Sequence, residues 1–203
     1  VLSAFAAEPD VTIKKENIDK LLKYGVISDL VKLSCDPKST DEEVERALNI
    51  ILSLSHPDKN KTELLASVIN EIEKSDGIKA MMTVLNCPET TRNAKVSGLE
   101  VINICSCHPV KENRMKNNDI IMDEGGYLSM IDRIVSSKEE GLTMLSCTLL
   151  GNFSYKQEHK EMILKANGHI ALYNYWKAED TIFDGIVLAE RAMKNFPELQ
   201  DRV

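Results

Sequence analysis

Aromatic residues are scarce in this sequence: one Trp, five Tyr and four Phe make up 5% of its 203 residues. A surface that stacks bases needs aromatic platforms, so single-stranded RNA is a poor match. Cationic side chains are short as well. The 25 Lys and Arg are outnumbered by 32 Asp and Glu, for a net charge of −7. Nucleic-acid affinity rests on neutralising phosphates, so no nucleic-acid partner is expected. No apolar run approaches the roughly 18 residues of a membrane span, and no transmembrane span is expected.

Paired cysteines are missing too. Cys35, Cys87, Cys105, Cys107 and Cys147 are an odd number in a long chain. They read as reduced thiols of a cytoplasmic protein, not as a secreted disulfide framework. There is no P-loop, no Gly-x-Ser-x-Gly elbow and no dinucleotide fingerprint, so no enzyme, catalytic residue or cofactor is expected. The chain opens Val1-Leu2-Ser3-Ala4 without Met. Its native N-terminus is read as lying upstream, with any signal peptide or lipid attachment there.

What is present is a core and a period. Hydrophobic residues make up 43% of the chain, enough for a packed interior, which excludes disorder throughout. The length suits one domain or an elongated repeat array. Apolar residues recur at helical spacing: Ile18, Leu21 and Leu22; Val44, Leu48, Ile51 and Leu52; Val101, Ile102 and Cys105; Leu145, Leu149 and Leu150. Sustained strand alternation is absent. The six prolines, Pro9, Pro37, Pro57, Pro88, Pro109 and Pro197, mark helix boundaries, because proline costs about 3 kcal/mol inside a helix. Ser39-Thr40-Asp41 ahead of Glu42-Glu43 reads as the capped, acidic start of a long helix.

Four segments align internally. They are Gly25–Val31, Asp76–Met82, Gly125–Ile131 and Asn167–Tyr173, each a Gly or Gly/Asn turn followed by an apolar helix start. Glycine there is read as the residue that permits the positive φ of a tight turn. A second motif follows each: Ile51–Leu54, Val101–Ile104, Leu150–Phe153 and Met193–Phe196. The spacings from first to second motif, Ile27 to Ser53, Ile78 to Asn103, Tyr127 to Asn152 and His169 to Asn195, are 26, 25, 25 and 26 residues. The connections to the next copy vary more, at 25, 24 and 17. Fixed helix pairs with variable connections are what stacked units predict. Ser55-His56-Pro57 and Cys107-His108-Pro109 close equivalent helices, 52 residues apart.

These motifs resemble the armadillo-repeat family, in which a short first helix, a Gly-Gly-Ile-like turn, a second helix and a long third helix form each unit. The Leu-x-Asn-Leu ending of the third helix is matched by Val101–Ile104 and Leu150–Phe153. The resemblance implies an all-α, right-handed α-solenoid forming a single domain over 1–203. Its units lie roughly at 17–57, 58–109, 110–156 and 157–203, after a leading fragment 1–16. Val1–Ala7 is read as the tail of an earlier third helix. The first two units are long for the family, so a mixed armadillo/HEAT array is also compatible. Lys59–Lys74 is expected to lengthen a first helix, and Lys111–Asn118 to form a polar loop.

In the armadillo family the third helices line a concave groove. The resemblance places Ser53, Asn103, Asn152 and Asn195 along it as a ladder. An asparagine amide both donates and accepts, so it can pair with the backbone of a partner segment. One turn earlier lie Asn49, Leu99, Thr148 and Arg191, and before them Arg46 and Lys95. The alternative role for the asparagines is bracing neighbouring helices. Import receptors of the family carry tryptophan at the positions held here by Asn49, Leu99, Thr148 and Arg191, so an import signal is not the expected ligand. An apolar or acidic peptide is.

The resemblance therefore implies a non-enzymatic protein-binding scaffold or adaptor holding an extended or helical partner segment. The alternative is a nucleotide exchange factor for Hsp70 chaperones, a role some armadillo-type proteins play. Length and a Lys- and Asn-rich composition are compatible with an apicomplexan branch built of armadillo repeats alone. That would imply an acylated N-terminus, outside this chain, tethering the scaffold to the cytosolic face of a secretory organelle, the rhoptry.

Other chemistry-bearing clusters read as structural. Cys105-Ser106-Cys107-His108 lacks the paired spacing of a zinc site, and cysteines two apart on a helix point different ways. Asp119, Asp123 and Glu124 read as a solvated helix end without a calcium loop's alternation. Glu158-His159-Lys160-Glu161 has no second histidine four residues on and is no zinc-protease motif. Tyr173 and Trp176 share a helix face, read as core packing, and Lys111, Arg114 and Lys116 as a solvated loop. No metal ligand is expected.

Overall fold

A computed structural model describes residues 11–55, 62–137, 139–178, 181 and 183–199. The expectations for Val1–Ala7, Pro9, His56–Pro57 and Lys59–Lys61 fall outside them. Twelve α-helices are described: α1 (Val11–Lys23), α2 (Val26–Cys35), α3 (Asp41–Ser55), α4 (Thr62–Lys74), α5 (Gly77–Asn86), α6 (Arg92–Ser106), α7 (Lys111–Asp123), α8 (Gly126–Ser136), α9 (Glu140–Phe153), α10 (Gln157–Lys165), α11 (Gly168–Lys177) and α12 (Phe183–Met193). A 3₁₀ turn, Pro197–Leu199, follows. No strand occurs among the described residues, so the protein is all-α. The chain divides into two compact units, 1–117 and 118–203, with the boundary inside α7.

The helices come in threes. Each first helix meets its second through one residue in the left-handed region: Gly25 (φ 72°), Asp76 (φ 54°), Gly125 (φ 75°) and Asn167 (φ 59°). Asn and Asp tolerate that region better than other residues with a Cβ. The glycine reading of these turns needs correction at two of them, because the positive φ at Asp76 and Asn167 is not carried by glycine. The glycine that follows is needed for space. A Cβ on Gly77, Gly126 or Gly168 would lie 2.6, 2.5 or 2.6 Å from the Cγ2 of Ile72, Ile121 or Ile163 respectively. Each isoleucine stands five residues earlier, on the preceding first helix. In the first triplet Val26 stands in the glycine's place and Leu21 in the isoleucine's. At Gly77 and Gly126 the carbonyl oxygens of Ile72 and Ile121 stand as close, at 2.7 and 2.6 Å, so backbone as well as side chain excludes a Cβ there.

Within the first unit like packs on like: α1 on α4, α2 on α5 and α3 on α6, with α2 also on α3 and α5 on α6. Ile27, Leu48, Ile51, Ile69, Ile72, Met81 and Ile102 are fully buried there, each stabilising by about 1.5–3 kcal/mol. The second unit repeats the arrangement, with α8 on α11 and α9 on α12, around Met130, Leu149, Leu150, Phe153, Leu172 and Phe196. The start of α3 forms a reciprocal cap. Thr40 N donates to Glu43 Oε2 (2.8 Å) and Glu43 N to Thr40 Oγ1 (3.3 Å).

The expected loop at Lys111–Asn118 is a correction: it forms the first two turns of α7. Three of its polar side chains meet partners on neighbouring helices. Asn113 Nδ2 donates to Asn70 Oδ1 on α4 (3.2 Å), Lys116 pairs with Glu73, and buried Asn117 donates to the Cys105 carbonyl (3.1 Å). Thr62–Lys74 is helical, as expected for that part of the 59–74 segment.

Candidate functional site

The residues expected along the third helices fall on α3 and α6 in the first unit and on α9, α12 and the residues after α12 in the second. Arg46, Asn49 and Ser53 sit at positions i, i+3 and i+7 of α3, on one face of that helix. Arg46 is exposed and paired with Glu42 one turn earlier. Asn49 is exposed, and its Oδ1 accepts from Ser97 Oγ of α6 (3.2 Å). That bond braces α3 to α6 and leaves the Asn49 amide hydrogens directed elsewhere. Half-buried Ser53 donates to the Asn49 carbonyl (2.7 Å).

On α6, half-buried Lys95 reaches the Pro88 carbonyl at 3.5 Å. Leu99 corrects an expectation: its side chain is 0% exposed and belongs to the core, so it offers nothing to a ligand. The apolar part of the expected groove therefore falls away. Asn103 is half-buried, and its Oδ1 is buried with no hydrogen-bond donor. In the second unit, half-buried Thr148 donates to the Met144 carbonyl (3.0 Å). Asn152 is half-buried and Arg191 exposed. Asn195 Nδ2 donates to the Gly151 carbonyl (3.1 Å) and to Ser154 Oγ (2.8 Å). Asn195 thus ties the end of its triplet back to α9 and acts as a brace.

What these faces offer is hydrogen-bonding and mixed charge. In the first unit the donors are exposed Arg46, the exposed Asn49 amide and half-buried Lys95, with the acids Asp41, Glu42 and Glu43 at the α3 start. Glu43 has its carboxyl held below the usual range, by the Thr40 backbone hydrogen bond first and the Thr40 hydroxyl second. In the second unit Arg191 is the exposed cation of the set.

Several partners were not anticipated. Ser97 and Ser154 complete the two braces, and Glu45 of α3 accepts from Thr91 Oγ1 (2.6 Å) beside the start of α6. Serine and glutamate at helix surfaces carry no pattern that singles them out. Asp119 is also not the solvated group expected. Its Oδ1 lies 2.7 Å from Lys156 Nζ and 2.8 Å from His159 Nε2. The available clue was Lys156 and His159 at i and i+3, facing one way. His159 is buried, and burial holds its pKa below the ordinary value, with Asp119 pulling against that shift.

All five cysteines are free thiols. Burial pushes Cys105 and Cys147 up to about 12, whereas Cys35 and Cys107 are exposed. Among the described residues, no three of His, Cys, Asp and Glu come together as a metal-ligand set. No described helix is long and apolar enough to cross a membrane. Tyr173 and Trp176 pack at 6.0 Å between ring centroids, both half-buried. No family model matches the chain, and no curated protein matches it.

Proposed function

We propose that this chain is a non-enzymatic scaffold or adaptor of the armadillo type, holding a segment of a partner protein along its third helices. The observation that carries the proposal is the recurrence of one three-helix unit. Four left-handed joints separate first from second helices, and within each unit third helices pack on third helices. Units that bury one face by stacking present their remaining third-helix face for recognition. The contact residues of this proposal are Arg46, Asn49, Ser53, Lys95 and Asn103 on the first unit, and Thr148, Asn152 and Arg191 on the second. Leu99 leaves the set, and Asn195 contributes by fixing geometry. With the apolar contributor gone, contact is by hydrogen bonds and charge. Free thiols fit a cytoplasmic setting, and a tether to the cytosolic face of a secretory organelle would be supplied by an acylated segment outside these residues.

The test is a quantitative pulldown comparing the chain with an Arg46→Glu/Lys95→Glu/Arg191→Glu variant, after circular dichroism shows equal helicity. Proteins that bind the parent and disappear from the variant support the third-helix face. An unchanged set of bound proteins overturns it. Acceleration of nucleotide release from an Hsp70 chaperone would replace the adaptor reading with that of an exchange factor.

A further inference from the structure

The first two turns of α7 are built inside out. Of the nine residues 110–118, only Val110 and Met115 are apolar. Both are exposed, at 49% and 45%, while Asn117 and Asn118 are buried. Polar bonds hold the segment in place: Asn113 to Asn70, Lys116 to Glu73 and Asn117 to the Cys105 carbonyl. The fold thus secures this stretch of the first unit without burying its two apolar side chains.

Two cations stand beside them. Successive residues turn by about 100° on an α-helix, so Lys111 lies roughly 40° from Met115 and roughly 60° from Arg114. Val110 joins the same face, because its carbonyl accepts from Arg114 N (3.0 Å) one turn later. Lys111 is exposed and Arg114 half-buried. Among the described residues neither has a side-chain hydrogen bond or ion pair. Acids outnumber bases 32 to 25 in this chain, and Lys116, on another side of the same helix, is paired with Glu73. Glu112, the acid of these turns, lies about 160° round the helix from Arg114 and about 100° from Lys111.

We propose that Val110, Lys111, Arg114 and Met115 dock an acidic segment of a partner protein, one that carries an apolar residue beside its carboxylates. The carboxylates meet Lys111 and Arg114, and the apolar residue covers Val110 and Met115. An arginine can hold a carboxylate by two parallel bonds, and methionine adapts its shape to an apolar neighbour. A peptide fits better than an anionic membrane. A planar anionic surface would face much of a chain of net charge −7. A peptide meets only charges within a Debye length, about 8 Å at physiological ionic strength. This face shares no residue with the third-helix set.

The test titrates blocked hexapeptides into the full chain labelled at Val and Met methyl carbons, reading the Val110 and Met115 resonances. The peptides are Gly-Glu-Glu-Leu-Leu-Gly and its counterparts with Gln-Gln-Leu-Leu, Lys-Lys-Leu-Leu or Glu-Glu-Ser-Ser at the centre. Saturable shifts are expected for the Glu-Glu-Leu-Leu peptide, tighter than for Gln-Gln-Leu-Leu by about two- to tenfold, the range of two exposed ion pairs. Glu-Glu-Ser-Ser should bind more weakly than Glu-Glu-Leu-Leu, and Lys-Lys-Leu-Leu should not saturate. Lys111→Gln/Arg114→Gln should bring the acidic peptide to the Gln-Gln-Leu-Leu level and leave the latter unchanged. The Arg46→Glu/Lys95→Glu/Arg191→Glu variant should bind as the parent does, which separates this face from the third helices. Equal binding of the Glu and Gln peptides, or acidic binding unchanged by Lys111→Gln/Arg114→Gln, would overturn the proposal. So would shifts produced by vesicles of equimolar phosphatidylcholine and phosphatidylserine but by none of the peptides, which would assign the face to a membrane surface.

Discussion

Neighbouring residues at the helix joints do different jobs, and substitution separates them. Asn167 holds a left-handed φ of 59°, while Gly168 faces Ile163 Cγ2 at 2.6 Å and Ile131 Cδ1 at 2.9 Å from where a Cβ would stand. Gly168→Ala should destabilise the second unit by roughly 1–3 kcal/mol, the usual cost of overpacking. Asn167→Gly should shift stability by less than about 1 kcal/mol, because relief of the left-handed penalty offsets the entropy of a more flexible unfolded chain. Urea denaturation measures both, and similar losses from the two changes would refute this division of labour. The joints were visible in the sequence as recurring glycines. Which of two adjacent residues bends the chain was not, because the close approach to isoleucine exists only after folding. The same limit applies to Leu99: an apolar residue at groove spacing reads alike whether it faces a ligand or the core.

Helices were legible wherever an apolar stripe crossed them, and α7 shows where that signal fails. Its first eight residues hold one apolar side chain, Met115, so the segment read as a loop. It folds as helix because Asn113, Lys116 and Asn117 bond to α4 and to the end of α6, a polar substitute for an apolar face. The start of α10 depends on a similar contact. His159 lies against Asp119 of α7, with Lys156 on the same carboxylate oxygen and Glu158 and Asp123 nearby in the charge field. Burial lowers the His159 pKa below 6.5, so the folded state favours neutral imidazole. The unfolded chain therefore binds the proton more readily, and stability should fall as pH drops below about 6.5. Thermal melts from pH 7.5 to 5.5 should show this decline, with a smaller slope in His159→Gln. An identical slope in the variant would assign the pH dependence to other groups.

The two compact units each contain one deeply buried thiol, Cys105 in the first and Cys147 in the second. With both pushed up to about 12, almost no thiolate is available at pH 8, and thiolate is the reactive form. N-Ethylmaleimide followed by mass spectrometry should label exposed Cys35 and Cys107 promptly in native buffer. Cys105 and Cys147 should react only as denaturant opens the unit that holds each. Labelling of Cys105 as fast as Cys107 would show that the first core is not packed as described. The all-helical character of the molecule was readable because burial periodicity is local. The positions of Ser97, Ser154, Glu45 and Asp119 were not, because their partners lie 37 to 48 residues away and no short window contains both ends.

The contact between the second-helix glycine and the isoleucine before it doubles as a spelling rule. Ile72 with Gly77, Ile121 with Gly126 and Ile163 with Gly168 share one frame: isoleucine, three variable residues, a residue that accepts a left-handed turn, then glycine. Where valine replaces the glycine, at Val26, the isoleucine has become Leu21. The frame is expected to recur as a unit in related chains. Searching for the linked pair, in place of the common glycine doublet, would make units of this kind countable in sequences whose other positions have diverged beyond recognition.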